Sequence, residues 1–366
     1  MSDLQEIPDK PLRKGYTTGA CATACVKGAL LGLISQKKQE KVSVMLPVGE
    51  TATFYLKDAI ISKDKSVITT IKDAGDDPDV THLAEITATV SFNTTKEIIF
   101  KRGEGVGLVT LPGLEIAVGE PAINPVPRKM MATVCHKMLS NFNLTDKGVT
   151  IEISVKDGEK LAKRTLNSRL GILHGISILG TSGIVTPFSA ASYIASIQQG
   201  IDVALANNET QLLINSGARS EKALRSIFPD FPEVACIHYG NWIQETFEKI
   251  YKEKAIKVVN MGIMLGKASK LAKGHTNTHS NKTTWDKNFI YKLALDSGYN
   301  EEISSKVLAL NIAGRLQEIF TFGAEEPFYQ MLLQKCYEHC YKIAPNVTLN
   351  LYLINNNNQV ISYKKV

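Results

Sequence analysis

The chain has 366 residues, of which 44% are hydrophobic, 21% charged and 7% aromatic. That balance excludes a disordered tail, a collagenous repeat and a disulfide-stapled miniprotein, and allows about two domains at roughly 150 residues each. Lysine and arginine outnumber aspartate and glutamate by 42 to 36, a formal charge of +6, but without a basic stripe or interleaved aromatics nucleic acid is not an expected partner.

The first thirteen residues are polar and lack the apolar centre of a secretory signal. Thr17 and Thr18 are candidate caps for a small-residue helix over Gly19–Ile34. The period then changes to two, which predicts strands at 41–47, 51–61, 66–72, 84–93 and 97–102. A helix is expected over 128–139, after a proline-rich segment, and a further strand over 148–155. Residues 1–165 therefore read as a strand-rich α+β domain.

From about Arg169 strands and helices alternate: strand 175–179, helix 189–205, strand 211–215, helix 220–227, strand 234–238, helix 242–252, strand 255–264 and helix 267–273. Four successive β-α units predict a Rossmann-like three-layer α/β/α domain with a mainly parallel sheet over 166–300. Residues 301–366 read as C-terminal helices and a hairpin turning at Asn355–Asn358, with packing back on the first domain as one option. The most apolar long stretch, 175–197, is broken by Gly, Thr, Ser and Pro, so no membrane span and no membrane partner are expected.

Six scattered cysteines with no C-x-x-C pair and no histidine at zinc spacing read as reduced thiols of a cytoplasmic protein, and no metal site is expected. In parallel sheets ligands bind beyond the carboxyl ends of strands. The loops expected there are Gly180-Thr181-Ser182-Gly183, Ser216-Gly217, Gly240-Asn241 and Leu265-Gly266, each with a glycine. No G-x-G-x-x-G fingerprint and no acid at the end of the second strand are present, which disfavours a dinucleotide site; the P-loop lysine and hydroxyl pair is also missing.

Several blocks together resemble one family. Lys14-Gly15-Tyr16-Thr17-Thr18-Gly19-Ala20-Cys21, the acidic loop Lys72 to Thr81, Gly103 to Gly107 with Glu120 to Arg128, Asn167 to Ile172, Gly175 to Val185 and Thr278-His279-Ser280 are similar, in the same order, to the motifs of the CbiD proteins, the cobalt-precorrin-5B C1-methyltransferases of anaerobic cobalamin biosynthesis. Two positions depart from the pattern: His174 stands where a glycine is expected, and Ile263-Met264 where a Gly-His pair is usual.

The resemblance implies methyl transfer from S-adenosylmethionine to ring carbon C1 of a cobalt-precorrin, with cobalt arriving inside the substrate. The loops beyond the strand ends then place the cofactor at Gly180, Thr181, Ser182, Gly183, Gly217, Gly240 and Asn241. Arg13, Arg128 and Arg169, with Thr17, Thr18 and Lys267, are the expected anchors for a polycarboxylate tetrapyrrole held between the domains. Asp76, Asp77 and His279 are the candidates for proton handling. A non-catalytic tetrapyrrole carrier of the corrin pathway is the alternative, a nucleotide-dependent oxidoreductase a weaker third, and the oligomeric state, a homo-oligomer included, is open.

Overall fold

The computed structural model describes residues 11–279 and 284–363; Ser280 lies outside them. The chain forms two compact units that divide between Ala190 and Ala191. Both are mixed α/β.

The first unit runs β1 (Gly15–Tyr16), α1 (Thr18–Ser35), β2 (Lys41–Met45), β3 (Thr51–Tyr55), β4 (Asp58–Ile61), β5 (Lys65–Ile71), β6 (Glu85–Asn93), β7 (Ile98–Arg102), β8 (Leu108–Val109), α2 (Pro125–Asn141), β9 (Gly148–Val155), α3 (Gly158–Ala162), β10 (Ile172–Leu173) and β11 (Ile184–Val185). Its main sheet has the order β4-β5-β6-β9-β7 and is antiparallel except for β7 against β9. The expected strand 51–61 is two strands. After Tyr55 the chain leaves the β2–β3 hairpin, and Leu56 and Lys57 donate to Glu40 and Thr69 respectively, so β4 joins the larger sheet instead.

Strand alternation decides which face is covered. Ile86, Ala88 and Val90 of β6, with Ile151 and Ile153 of β9, point into one core beneath α1 and α2. Helix α1 packs on β2, β5, β6 and α2, which is why it is apolar nearly all round. It has the length and composition of a membrane span but lies mostly buried within this unit. Pro125 sits in the first turn of α2, where a missing N–H costs nothing, so that helix starts three residues earlier than expected.

The second unit runs α4 (Ala190–Ala206), β12 (Gln211–Asn215), α5 (Ala218–Arg225), β13 (Cys236–His238), α6 (Ile243–Lys252), β14 (Val258–Met264), α7 (Leu265–Ala272), α8 (Lys287–Asp296), α9 (Glu301–Ser305), α10 (Pro327–Ile343), β15 (Thr348–Ile354) and β16 (Val360–Ser362). The sheet order is β13-β12-β14-β15-β16; the first four strands are parallel and β16 returns antiparallel. Leu212, Ile214, Val259, Met261, Leu351 and Leu353 face a large core shared with α4, α6, α7 and α10. The opposite face carries Leu213 and Ile354 beneath α5.

Three expectations change here. Residues 175–179 form no strand of this sheet; Ile176 and Ile178 make isolated bridges with Val106 and Ile123 in the first unit. The segment read as C-terminal helices from residue 301 opens with the short α9 and two 3₁₀ turns, 306–309 and 313–318, before the long α10. The last stretch belongs to the second unit, because β15 pairs along its whole length with β14.

His174, the residue standing in for a glycine, adopts φ +63°, the left-handed region that explains why a glycine suits the position. Histidine is among the side chains that tolerate it best.

Candidate functional site

The motif residues of the first unit meet at the amino end of α1. Tyr16 N–H donates to Asp73 O (2.7 Å), Thr17 N–H to Gly183 O (3.1 Å) and Gly19 N–H to Leu179 O (3.0 Å). Thr17 Oγ1 accepts from Ala20 N–H (3.2 Å) and caps the helix. The Thr18 hydroxyl accepts from Leu179 N–H (2.9 Å) and donates to Leu179 O (3.2 Å). Glycines let these backbones touch. A Cβ on Gly15 would stand 2.0 Å from the Ala74 carbonyl carbon, and one on Gly180 2.3 Å from the Thr17 side chain. Gly75 has φ +70° and would meet Arg13 O at 2.1 Å.

The acidic loop is largely occupied with holding this junction. Asp73 receives both arms of the Arg13 guanidinium (2.5 and 2.9 Å) and the Gly75 N–H, and that bonding holds its carboxyl down at about 2. Asp76 is exposed and accepts from Arg13 N–H at 2.8 Å. Asp79 accepts from the wholly buried Lys72 amine (2.6 Å) and from Thr81. Burial pushes the Asp79 carboxyl up, but the Lys72 charge and these bonds outweigh it and leave it below the usual range. Asp77 is half-buried; burial pushes its carboxyl up, opposed by the Phe188 N–H that donates to it at 2.8 Å.

Arg128 donates to the carbonyls of Ile123 (2.9 Å) and Pro121 (3.1 Å) and to Glu120, and its guanidinium lies 5.2 Å from the centroid of the Phe100 ring. Arg13 and Arg128 are thus both engaged by their own chain. Arg169 lies part-buried in a 3₁₀ turn, Asn167–Leu170.

The other candidate residues lie around the carboxyl ends of β12, β13 and β14. The chain goes from β12 to β13 on one side, whereas β14 leads to β15 on the other, so the direction reverses between β12 and β14. A crevice at such a reversal is where parallel sheets hold ligands. The loops leaving these two strands carry Gly217 and Gly266, and a Cβ on either would meet nothing within 4 Å. Asn215, fully buried at the end of β12, accepts from Gly217 N–H through Oδ1 (3.0 Å), while its Nδ2 has no partner among the described residues.

At the carboxyl end of β13 Gly240 adopts φ +59° against the ring of Tyr193. Lys267 of α7 donates to Gly240 O (2.5 Å) and Asn241 Oδ1 (2.8 Å), and Thr278 Oγ1 lies 3.2 Å from that same Oδ1. Burial, with the Lys270 charge adding, pushes the Lys267 amine down to about 8. Lys270 donates to Thr278 O (3.2 Å) and His279 N–H to Asn277 Oδ1 (3.2 Å). Glu221 of α5 lies 2.6 Å from His238 Nε2, and His238 stands beside Asn215 in register. A surface cavity of about 420 Å³ lined by 208–211 and 228–232 lies at the amino end of β12, the wrong end for these residues.

The expected cofactor residues therefore fall into two groups. Gly217, Gly240 and Asn241 share the strand ends of the second unit with Lys267 and His279, whereas Gly180 to Gly183 belong to the α1 junction of the first. The loop 180–183 was expected to follow a sheet strand, and no such strand precedes it. Sequence reasoning missed Tyr193, Asn215, Glu221 and His238. Tyr193 carries no local signal that separates it from a core aromatic. Among the described residues no group of His, Cys, Asp and Glu could hold a metal ion.

Comparison with known proteins adds the family. A family model described as CbiD matches residues 5–187. The chain is 46% identical over 335 residues to a cobalt-precorrin-5B C(1)-methyltransferase of Priestia megaterium, covering 91% of each. It is 41% identical over 346 residues to one of Prosthecochloris aestuarii, covering 94% of each. A crystal structure of cobalamin biosynthesis protein cbiD from Archaeoglobus fulgidus is 28% identical over 75% of this chain and 84% of that one, with a TM-score of 0.39. On the family model and on relatives this similar over nine-tenths of its length, the chain belongs to the CbiD family.

Proposed function

We propose that this chain transfers a methyl group from S-adenosylmethionine to ring carbon C1 of cobalt-precorrin-5B. A methyltransferase role in cobalamin biosynthesis is supported by the name its relatives share at 41 to 46% identity. The observation that carries the methyl-donor site is the reversal of chain direction between β12 and β14, beside which Gly217 and Gly266 both face open space. The reading treats the second unit as Rossmann-like.

The residues fit such a donor. S-adenosylmethionine presents carboxylate, hydroxyl and adenine acceptors, and the strand ends offer backbone N–H groups at the starts of α5 and α7. Asn215 adds a buried amide donor without a partner. When bound, the sulfonium supplies an electrophilic methyl group. The C–S bond breaks with its electrons going to sulfur, a C–C bond forms from the ring carbon's electron pair, and a proton leaves the tetrapyrrole if its charge is to stay constant. The work of the chain is then to align and to exclude water.

In this reading Gly217, Gly240 and Asn241 border the methyl donor, and His279 takes up the proton. Asp77, whose carboxyl burial pushes up, is the acid of the first unit better suited to proton handling than the exposed Asp76. Arg13, Arg128 and Arg169 are the substrate anchors in this reading. Thr17, Thr18 and Gly180 to Gly183 shape the α1 junction. Incubation with labelled S-adenosylmethionine and cobalt-precorrin-5B, followed by mass analysis, should give a product one methyl group heavier at C1. A product without label, or corrinoid binding with no transfer, would support a carrier instead.

A further inference from the structure

The strand-end cluster of the second unit contains an arrangement that the family motifs do not explain. Asn241 is 4% exposed, and its Oδ1 faces two hydroxyl or amine partners, Lys267 Nζ at 2.8 Å and Thr278 Oγ1 at 3.2 Å. Lysine has donors and no acceptor, so the atom it meets must be the amide oxygen. The orientation of the amide is thereby fixed, and the –NH₂ group is turned to the other side. Among the described residues Asn241 Nδ2 has no acceptor, although it is not sealed in the interior as Asn215 Nδ2 is.

One residue earlier, the chain makes room for a second donor. A Cβ on Gly240 would lie 2.7 Å from Tyr193 Oη, so only a glycine lets that hydroxyl sit against the backbone. Gly240 also has the left-handed φ that turns its carbonyl onto Lys267 (2.5 Å). Tyr193 comes from the first turn of α4, is part-buried, and its hydroxyl has no hydrogen-bond partner among the described residues. A phenol in such a place usually finds a partner. Two donors without acceptors therefore flank one tight turn, Gly240-Asn241, at the carboxyl end of β13.

We propose that Tyr193 and Asn241 form a donor pair that reads acceptor atoms of the methyl donor, and that Lys267 and Thr278 are positioning residues that aim the Asn241 amide. The inference rests on the methyl-donor reading above. It gives Lys267 a role different from anchoring a substrate carboxylate: its amine is spent on the turn itself. The acceptors concerned are hydroxyl, carboxylate or ring-nitrogen lone pairs, which S-adenosylmethionine and its demethylated product share.

The test is calorimetric titration of the full chain with S-adenosylmethionine and, separately, with S-adenosylhomocysteine. Asn241→Asp keeps the acceptor that Lys267 and Thr278 hold but removes the outward donor, so the fold should survive and affinity should fall at least tenfold for both ligands. Tyr193→Phe keeps the ring and removes only the hydroxyl, and a fivefold to twentyfold loss is expected. Thr278→Val should weaken binding less than Asn241→Asp and add no further loss in the Asn241→Asp background, which a merely structural role would not produce. Thermal unfolding of each variant separates binding from folding. If the native chain binds and Asn241→Asp and Tyr193→Phe bind as tightly, this inference is overturned and the methyl-donor reading stands. If the native chain binds neither ligand, both fall together.

Discussion

The two motif regions of this protein use glycine for opposite ends. At the amino end of α1, glycines remove side chains so that backbone can lie on backbone, and nothing fits between Gly15 and Ala74 or between Gly75 and Arg13. At the strand ends of the second unit, Gly217 and Gly266 leave space that no protein atom fills. The first pattern is the chemistry of a joint; the second is open space, which its place at the carboxyl ends of parallel strands makes the receptacle proposed above. A glycine-rich motif alone does not tell one from the other; what lies within reach of the absent Cβ, together with the place in the sheet, does.

The largest effect expected from this contrast is on Gly15→Ala. Its new methyl group would overlap the Ala74 backbone, which cannot rotate away, so a loss of about 3 kcal/mol or more in denaturant unfolding is expected. Unfolding within 0.5 kcal/mol of the native chain would show that the joint is slack. Of comparable size is Lys72→Met, which strands the Asp79 carboxylate in the same region; breaking a buried pair from one side costs about 3–5 kcal/mol, and the partly exposed edge of Asp79 puts this one at the lower end. A neutral result there would mean that Asp79 is solvated through its partly exposed edge.

Gly266→Ala should sharpen the comparison from the other side. Its stability should match the native chain within about 0.5 kcal/mol, because nothing meets the added carbon. Its affinity for S-adenosylmethionine should fall by about tenfold, ~1.4 kcal/mol, if the space belongs to a ligand. Unchanged affinity would remove Gly266 from the receptacle.

The smallest effects are in pH dependence. The Asp73 carboxyl sits at about 2 in the fold against 3.8 ordinarily, so its contribution is complete above about pH 4 and is lost as pH falls toward 2. The stability difference between the native chain and Asp73→Asn should shrink over that interval, and a constant difference would exclude the ion pair as its source. Lys267 works in the alkaline range. Its amine is at about 8 in the fold against 10.5, so the unfolded chain binds the extra proton between those values and stability rises with pH there. Lys267→Met should lose that rise.

The joint was more legible in the sequence than the receptacle. Thr17 as a cap, the alternation that gave β6 and β9, and the clustering of motif blocks along the first half all rest on local rules. Residues 175–179 were misread because a short apolar run bounded by glycines looks the same whether it pairs as a strand or bridges loops, and only the bridges of Ile176 and Ile178 to distant residues decide. That misreading placed Gly180 to Gly183 beyond the carboxyl end of a sheet strand. The donor at Tyr193 was invisible for another reason: an aromatic in the first turn of an apolar helix carries the pattern of a core residue, and its meaning arises only where Gly240 folds against it.

The position of β15 bears on how the chain is made. Strand β14 has β12 on one side as soon as it emerges, but its other neighbour, β15, begins only at Thr348, after residues 265–347. Until β15 arrives, seven residues of β14 present an unpaired hydrophobic edge, the kind of template that invites pairing with the wrong chain. A second unit that forms in chain order therefore carries that edge until residue 354 is made, which lengthens the time in which it can pair wrongly.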